Sequence, residues 1–342
     1  MEVDPNTLLM DAEWLAHRYV EDTDRFRFVR VPRAEHATIP FLTDDCLGPR
    51  QIGGDLPAVT ALDLPENPPL GFIFHSAFCG STLLTRALSR GGTAMGLSEP
   101  VLLNDLVGLR RRGAQPSAVA RMADLATRLL GRPFAPGESV VVKPSNVVNP
   151  LTELLLALRP RSNALFLYAP LETFLISVVR KGLPCRLWVR ELLAGYLRDG
   201  FVALGFEPED YFRQTDLQVA AVGWLAQHAH FHRLAAKIGP GRIRSLDADQ
   251  MTARPFEAIQ ATAAHLRLHL DEAALAEIVS GPSFTQHSKS GQSFSADDRT
   301  AEYAAAREAH RAEIDLVLEW AGQVAANASI PLEGPLPLLD QA

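Results

Sequence analysis

The sequence contains few cysteines and no long hydrophobic run. Its three cysteines, Cys46, Cys79 and Cys185, are an odd number at wide spacing, which suits neither a disulfide framework nor a CxxC pair. No stretch approaches the roughly 18 uninterrupted apolar residues typical of a membrane-spanning helix. The N-terminus begins acidic and lacks the combined basic and apolar regions of a secretory signal. We therefore expect a protein of the reduced cytoplasm.

The sequence also lacks an excess of positively charged residues. The 342 residues include 33 lysines and arginines against 40 aspartates and glutamates, which gives a net charge of -7. Such a surface repels polyanions, so we expect neither nucleic acid nor a membrane as a partner. The composition that remains, 47% hydrophobic and 21% charged, is that of a globular protein with a sizeable core.

The chain is predicted to consist of an N-terminal cap, one large domain and a short tail. Prolines and an asparagine interrupt every hydrophobic period in residues 56–71, as they do in linkers. We accordingly assign residues 1–65 to the cap, 66–325 to the main domain and 326–342 to a C-terminal tail.

Hydrophobic periodicity predicts elements at both ends of the chain. Around Leu8 to Val20 it favours an amphipathic helix, and in "RFRFVRV", residues 25–31, alternating Phe26 and Phe28 favour a strand. Residues 300–325 are predicted to form one final helix.

From residue 71 onward, short apolar runs alternate with helical patterns. The runs "GFIFHS", "TAMGLS", "SVVVK", "NALFLYA" and "RIRSL" predict strands, and segments with apolar residues three and four apart separate them. Strands that alternate with helices indicate an α/β fold with a parallel sheet covered by helices on both faces. Ligands of such sheets bind at the carboxyl ends of the strands.

The first of these strand ends reads "HSAFCGSTLL", with Gly80 at a sharp turn and Ser81 and Thr82 opening a helix. The unpaired N–H groups and positive dipole of a helix start can bind an anion without a side-chain cation. The match to a Walker A loop is poor, because Ser81 stands where the lysine belongs. An ordinary strand-turn-helix joint with a Ser/Thr cap is the alternative.

The second and third strand ends carry opposite charges. Glu99 follows "GLS", where a carboxylate could take a proton from an acceptor hydroxyl. Lys143 closes "VVVK" and could supply the cation that the loop lacks. The alternatives are a surface or helix-cap carboxylate and a solvated lysine at the rim.

Two helices carry polar clusters. After the fourth strand, Ser177, Arg180 and Lys181 lie within one turn and could hold a second phosphate or form a solvated face. In "QHAHFHR", His228 and His232 share a face, but no glutamate follows in the HExxH manner, so we predict no metal site there.

Two further segments could contact ligands. The polar residues 283–299, which include His287, Ser288 and Lys289, could form a lid over a nucleotide or a flexible connector to the final helix. The arginines at 110–112 could face an acidic acceptor or end a solvated helix.

Taken together, residues 71–250 resemble the sulfotransferase family. That family's first loop has the form P-[KR]-S-G-T-T-x-L, which "AFCGSTLL" matches at Gly80, Ser81, Thr82 and Leu84. The "EP" after the second strand and the "KP" after the third are similar to its tyrosylprotein and glycosaminoglycan branches, and "RIRSLDADQMTARPFEAI" is similar to a later segment. The resemblance implies a P-loop nucleotide-kinase-like fold and 3′-phosphoadenosine 5′-phosphosulfate as co-substrate, with no metal.

The resemblance also implies roles for particular residues. Glu99 would be the general base, Lys143 would help the bridging oxygen leave, and His75 would contact the phosphosulfate. The residues implied to bind the co-substrate are Phe78, Cys79, Gly80, Ser81, Thr82, Ser177, Arg180 and Lys289. Three positions depart from the family. Phe78 replaces the basic loop residue, and Ser177 is one position later than the family's serine. Tyr168 replaces the arginine of the 3′-phosphate site, for which Arg180 or Lys181 could substitute.

The sequence thus predicts a sulfotransferase that modifies a hydroxyl of a small-molecule or peptide acceptor, with the oligomeric state left open. One alternative is a P-loop protein that binds a phosphate or nucleotide without catalysis. The other is an ATP-dependent phosphotransferase, against which the absent Walker lysine argues.

Overall fold

A computed structural model describes residues 3–36, 38–65, 67–281, 284 and 296–340 of the chain. The strands are β1 (Trp14–Val20), β2 (Arg25–Arg30), β3 (Ile52–Pro57), β4 (Gly71–His75), β5 (Ala94–Ser98), β6 (Ser139–Lys143), β7 (Asn163–Tyr168) and β8 (Ile243–Asp247). The helices are α1 (Pro5–Met10), α2 (Arg33–His36), α3 (Asp44–Leu47), α4 (Ser81–Leu88), α5 (Val101–Arg111), α6 (Pro116–Leu130), α7 (Thr152–Leu158), α8 (Leu171–Arg180), α9 (Gly182–Arg198), α10 (Pro208–Arg213), α11 (Asp216–Ile238), α12 (Ala248–Ala253), α13 (Pro255–His265), α14 (Glu272–Ser280), α15 (Ala296–Ala309) and α16 (Arg311–Asn327).

A five-stranded parallel sheet organises the chain from residue 71 onward. Its strand order is β5-β6-β4-β7-β8, which puts the first strand of this region at the centre. Phe72, Ile73 and Phe74 of β4 are all inaccessible to solvent. Because successive side chains of a strand point to opposite faces, both faces must be covered. The predicted α/β fold class is confirmed, and all five predicted strands are present.

The N-terminal region forms a separate three-stranded antiparallel sheet of order β1-β2-β3. The predicted strand at residues 25–31 is confirmed as β2, with Phe26 and Phe28 buried. The predicted helix from Leu8 to Val20 is wrong, because the helix ends at Met10 and β1 begins at Trp14. The first residues of β1 are buried in succession, so pairing with β2 outweighs the helical spacing of the apolar residues.

A buried arginine holds the N-terminal segment in this conformation. The guanidinium of Arg132 donates hydrogen bonds to the carbonyl oxygens of Leu8 at 2.7 Å, Leu9 at 3.0 Å and Trp14 at 2.6 Å. Burial lowers the pKa of Arg132 to about 10. These bonds satisfy carbonyls at the turn between α1 and β1, which helps to explain why no single helix runs through it.

The C-terminal region differs from the prediction in one respect. The single helix predicted over residues 300–325 is divided at His310, whose backbone (φ -117°, ψ 21°) lies outside the helical range. The two resulting helices pack on different neighbours, α15 on α8 and α16 mainly on α11. Beyond them, Leu338 donates its N–H to the carbonyl of Ser245 at 2.7 Å, which covers the edge of β8.

None of the helices in the described part of the chain has the length and apolar character needed to cross a membrane. The boundaries assigned at residues 65 and 325 stay a prediction.

Candidate active site

The loop after the central strand has an unusual backbone. Ala77, Phe78 and Gly80 have φ of +75°, +53° and +76°, and non-glycine residues adopt this left-handed region rarely. At Gly80 a side chain is also excluded by space, because a Cβ would lie 2.9 Å from Cε of Met251. The chain therefore turns sharply between His75 and the start of α4, close to the next element.

The first turn of α4 begins at this loop. Gly80 is the N-cap, and in the part of the chain described here no side chain caps the helix. The Ser/Thr cap predicted for an ordinary joint is therefore wrong, whereas the ordinary joint itself stays an alternative. Ser81 and Thr82 lie in the first turn and are buried, and the hydroxyl of Thr85 donates to the carbonyl of Ser81 at 2.8 Å. An uncapped first turn leaves its N–H groups for an anion.

Buried polar side chains hold the loop in place. Nδ2 of Asn149 donates to the carbonyl of His75 at 3.1 Å and to Oε1 of Gln227 at 2.8 Å. The N–H of Ala169 donates to Oγ of Ser76 at 3.2 Å. Asn149 and Gln227 were not predicted from the sequence. Their only signal is a polar residue just after a strand end and another within an apolar helix, a pattern that many proteins share.

Glu99 and Lys143 form an ion pair beside the loop. They come from adjacent parallel strands, with Ser98 paired to Lys143 in the register and the N–H of Glu99 donating to the Lys143 carbonyl at 2.7 Å. Nζ of Lys143 donates to Oε1 of Glu99 at 2.5 Å. The lysine side chain is fully buried, whereas 18% of the glutamate side chain is exposed. Glu99 has a φ of +49°, a strained conformation that directs the chain from β5 towards α5.

His75, the last residue of β4, faces the same carboxylate. Its Nδ1 accepts a hydrogen bond from the N–H of Ala77 at 3.1 Å, so in the neutral ring the proton is on Nε2. That atom lies 3.8 Å from Oε1 of Glu99. The structure thus brings together His75, Glu99 and Lys143, the three residues to which the sequence analysis assigned catalytic roles.

The N-terminal region contributes a residue to this group. Nζ of Lys143 lies 4.9 Å from the centroid of the Phe41 ring. Beside it, the N–H of Leu42 donates to the carbonyl of Ser98 at 2.7 Å, and the carbonyl of Leu42 accepts from Val101. Phe41 carries no recognisable signal in the sequence, because its contact depends on how the N-terminal region docks against β5.

Phe78, which stands where the resembled family has a cation, lies in an aromatic cluster. Its ring centroid is 5.7 Å from that of Phe174 and 5.4 Å from that of Trp188. Nζ of Lys181 lies 5.4 Å from the same centroid. The neighbouring Cys79 is buried, and burial raises the pKa of its thiol.

Ser177 and Arg180 of α8 contact α15. Oγ of Ser177 lies 2.7 Å from Oη of Tyr303, and the Arg180 guanidinium lies 5.1 Å from the Tyr303 ring centroid. Ser177 and Arg180 of the predicted second phosphate site therefore lie close together. The Arg180 guanidinium already forms an ion pair with the Glu302 carboxylate.

Tyr168 lies away from the predicted 3′-phosphate site, under the C-terminal tail. A Cβ on Gly334 would lie 2.4 Å from its ring. Burial, followed by smaller effects that include the Asp247 charge, raises the pKa of Tyr168 to about 12. Lys289, with His287 and Ser288, lies outside the described residues.

The histidines of α11 take part in packing. His228 is buried and stacks on Trp224 with ring centroids 3.5 Å apart, and burial lowers its pKa well below the usual value. Nε2 of His232 lies 2.8 Å from the carbonyl oxygen of Glu333. Among the residues that the structure describes, no group of three or more His, Cys, Asp and Glu side chains is placed to hold a metal ion.

Of the comparisons with known proteins, only the comparison with solved structures found similar proteins. No family model matches the chain, and no curated protein matches its sequence. It is similar to a solved sulfotransferase domain from the curacin biosynthetic pathway, with 16% identity and a TM-score of 0.43 over 79% of this chain and 100% of that one. It is also similar to a sulfotransferase from Mycobacterium avium, with 11% identity and a TM-score of 0.44 over 73% of this chain and 79% of that one.

A third similar structure is a sulfotransferase from Alicyclobacillus acidocaldarius, with 16% identity and a TM-score of 0.38 over 73% of this chain and 97% of that one. These three solved structures are sulfotransferases or sulfotransferase domains. These likenesses are distant, and no site residue is assigned from them.

Proposed function

We propose that this protein is a sulfotransferase that moves a sulfuryl group from 3′-phosphoadenosine 5′-phosphosulfate to a hydroxyl of a small-molecule or peptide acceptor in the cytoplasm. One observation carries the proposal: a buried ammonium–carboxylate pair, Lys143 with Glu99, lies beside an uncapped phosphate-loop-like turn at the carboxyl edge of a parallel sheet. That edge is where such sheets bind ligands.

The three parts of this site match three requirements of sulfuryl transfer. The group is anionic, and the N–H groups at the start of α4 are donors for it. Charge builds on the leaving oxygen, where the Lys143 ammonium can neutralise it. The acceptor hydroxyl must lose a proton, and the Glu99 carboxylate can take it.

In the proposed reaction, the acceptor oxygen attacks sulfur and forms a new O–S bond. The bond between sulfur and the bridging oxygen of the phosphosulfate breaks, and its electron pair leaves with 3′-phosphoadenosine 5′-phosphate. The acceptor proton goes to Glu99, and Lys143 stabilises the negative charge on the departing phosphate oxygen. His75 faces the same carboxylate and would contact the phosphosulfate. The reaction as proposed requires no metal.

The co-substrate would extend from the loop towards α8. Residues 78–82 would hold the 5′-phosphosulfate through backbone N–H groups and the Ser81 and Thr82 hydroxyls. Ser177 and Arg180, one turn apart on a helix whose Phe174 touches the loop residue Phe78, would hold the 3′-phosphate together with Lys289.

One observation favours a second candidate, a protein that binds such a ligand without catalysis. Phe78 replaces the loop cation and packs against Phe174 and Trp188. An ATP-dependent phosphotransferase is disfavoured, because Ser81 stands at the position of the Walker lysine.

Calorimetry on the full chain tests these functions. The sulfotransferase should bind 3′-phosphoadenosine 5′-phosphate and prefer it to ATP with Mg²⁺, and it should convert the phosphosulfate to the bisphosphate when an acceptor is present. Preference for ATP would favour the phosphotransferase. Binding of the bisphosphate without turnover over a broad acceptor panel, or silence with both nucleotides, would favour the protein without catalysis.

A further inference from the structure

We propose that the Phe41 ring keeps water away from the Glu99–Lys143 pair, so that the sulfuryl group passes to the acceptor and is not lost to water. This inference rests on the proposed function and adds to it a residue that decides which nucleophile reacts. It assigns that role to the N-terminal region, which contains none of the site residues predicted from the sequence.

The Phe41 ring lies against the ammonium of the ion pair. Nζ of Lys143 is 4.9 Å from the ring centroid, within the range at which an aromatic face attracts an ammonium. The same atom donates to Oε1 of Glu99 at 2.5 Å, so the ring is also close to the carboxylate. The lysine side chain has no solvent exposure, whereas Phe41 is half-buried. The ring therefore forms part of the cover between this ammonium and solvent.

The backbone next to Phe41 is bonded to the chain on both sides of Glu99. Leu42 donates its N–H to the carbonyl of Ser98 at 2.7 Å, and its carbonyl accepts from the N–H of Val101 at 3.1 Å. Glu99 lies between these two partners with a φ of +49°, a conformation that needs support from its surroundings. The position of the Phe41 ring is thus coupled to that of the carboxylate.

The other end of this segment is held by the helix that follows the loop. Nη2 of Arg86 donates to the carbonyl of Thr38 at 2.7 Å. Arg86 belongs to α4, which begins at the turn proposed to bind the phosphosulfate. Residues 38–42 therefore connect α4 to the end of β5, and Phe41 lies between the two anchored points of this segment.

Water competes with any acceptor for the sulfuryl group. In the competing reaction, a water oxygen attacks sulfur, and the bond from sulfur to the bridging oxygen breaks. Its electron pair leaves with 3′-phosphoadenosine 5′-phosphate, Glu99 takes one proton of the water, and the other product is hydrogen sulfate. Because the carboxylate and the ammonium would assist water as they assist an alcohol, the site must keep water from the pair.

The test measures the release of sulfate from 3′-phosphoadenosine 5′-phosphosulfate by full-length variants when no acceptor is present. Phe41→Ala should release sulfate about tenfold faster than the original protein, because water then reaches the pair. Phe41→Leu keeps a large apolar side chain and should stay within about threefold of the original protein. Phe41→Val should lie between the two, and it provides the test if Phe41→Ala does not fold.

Two further variants show whether the sulfate comes from this site. Adding Glu99→Gln to Phe41→Ala should return the release to the original level, since the base that takes the proton is gone. The matched control is Phe134→Ala, which should leave the release unchanged. Phe134 is also half-buried, with the Arg33 guanidinium 5.9 Å from its ring centroid, but it precedes β6, whereas Lys143 is the last residue of that strand.

Chemical labelling of the protein without co-substrate tests the cover itself. Acetic anhydride should acetylate Lys143 faster in Phe41→Ala than in the original protein, as measured by mass spectrometry of its peptides. The exposed Lys237 should be acetylated equally in both proteins. Thermal unfolding of each variant shows whether the fold is retained. A variant that has lost its fold would expose Lys143 but could not release sulfate faster.

The outcomes separate this inference from the function on which it rests. If the original protein modifies an acceptor but folded Phe41→Ala and Phe41→Val release sulfate no faster, the inference is wrong and the proposed function stands. An equal rise in Phe134→Ala, or unchanged acetylation of Lys143, would also overturn the inference. If no variant forms sulfate or a sulfated acceptor, the proposed catalysis and the inference are both wrong.

Discussion

Nζ of Lys143 lies 2.5 Å from Oε1 of Glu99, and the two residues come from neighbouring parallel strands. The lysine side chain has no solvent exposure, and the carboxylate offsets its charge. Breaking such a buried pair by removing one partner is strongly destabilising, because it leaves an uncompensated charge. The pair therefore links the stability of this sheet edge to its chemistry.

The first prediction separates these two effects. Glu99→Gln and Lys143→Met should each reduce turnover by on the order of a hundredfold or more, because each removes a group that acts in the transition state. Glu99→Gln should also lower the free energy of unfolding by up to about 3 kcal/mol, since the Lys143 ammonium is left buried without its carboxylate. Steady-state kinetics and denaturant unfolding measure the two quantities.

The double variant and a distant control complete this test. Combining Glu99→Leu with Lys143→Met should recover much of the stability but none of the activity, because both charges are gone. Glu138, whose side chain is 1% exposed and pairs with Arg33, provides the control. Glu138→Gln should lose stability and keep its turnover per folded molecule. Full turnover in Glu99→Gln and Lys143→Met would contradict the assigned roles.

The second prediction concerns the ion pair between Arg180 and Glu302. If Arg180 holds the 3′-phosphate, the Glu302 carboxylate competes with that phosphate for the guanidinium. Glu302→Gln should therefore bind 3′-phosphoadenosine 5′-phosphate about three- to fivefold more tightly, the factor that corresponds to an exposed ion pair of up to about 1 kcal/mol. Calorimetry measures the change.

Glu308→Gln is the control for this prediction. It removes an equal charge from the same helix, where Glu308 pairs with Arg311, and it should leave the affinity unchanged. If the affinity rises equally in both variants, the cause is the general loss of negative charge and not the release of Arg180. No gain in Glu302→Gln would place the 3′-phosphate away from Arg180.

The third prediction is a loss of stability at acidic pH. Burial lowers the pKa of His36 to about 4, whereas in the unfolded chain it is about 6.5. Between these values the unfolded chain binds a proton that the folded chain does not, so stability falls as the pH drops from about 6.5 towards 4. The change from this one residue amounts to about 3 kcal/mol.

Urea unfolding of the original protein and of His36→Leu across this pH range measures the effect. Between these pH values, the unfolded and folded chains of the variant should differ by about one bound proton less than those of the original protein, so its free energy of unfolding changes less with pH. His230→Leu should behave in the same way, since burial also lowers the pKa of His230 to about 4. An unchanged pH dependence in His36→Leu would mean that this histidine titrates alike in both states.

The strands and strand-end residues could be predicted because their signals are local. Strands such as residues 139–143 have a short, buried apolar core, here residues 140–142, and polar residues bound it. The carboxyl ends of parallel strands meet at one edge, which is why Glu99 and Lys143 could be expected together from two separate motifs. The helix predicted around Leu8 to Val20 failed because pairing between strands is not visible in the periodicity of one segment.

The partners of the site residues could not be predicted, since they come from distant parts of the chain. Asn149 and Gln227, which hold the loop, meet across 78 positions, and Phe41 reaches Lys143 from the N-terminal region. The pairing of Arg180 with Glu302 spans 122 positions. Polar and aromatic residues of this kind occur throughout the sequence, and only packing selects these few.

The sequence by itself determined the parallel α/β architecture, the sharp turn at Gly80 and the presence of a carboxylate and an ammonium at neighbouring strand ends. These features follow from local hydrophobic patterns and from the geometry common to all parallel sheets. Only the tertiary structure decided that Lys143 is buried against Glu99, that Arg180 already contacts a carboxylate and that Lys181 lies over Phe78. Contacts between side chains depend on how whole elements dock, which no local pattern in the sequence encodes.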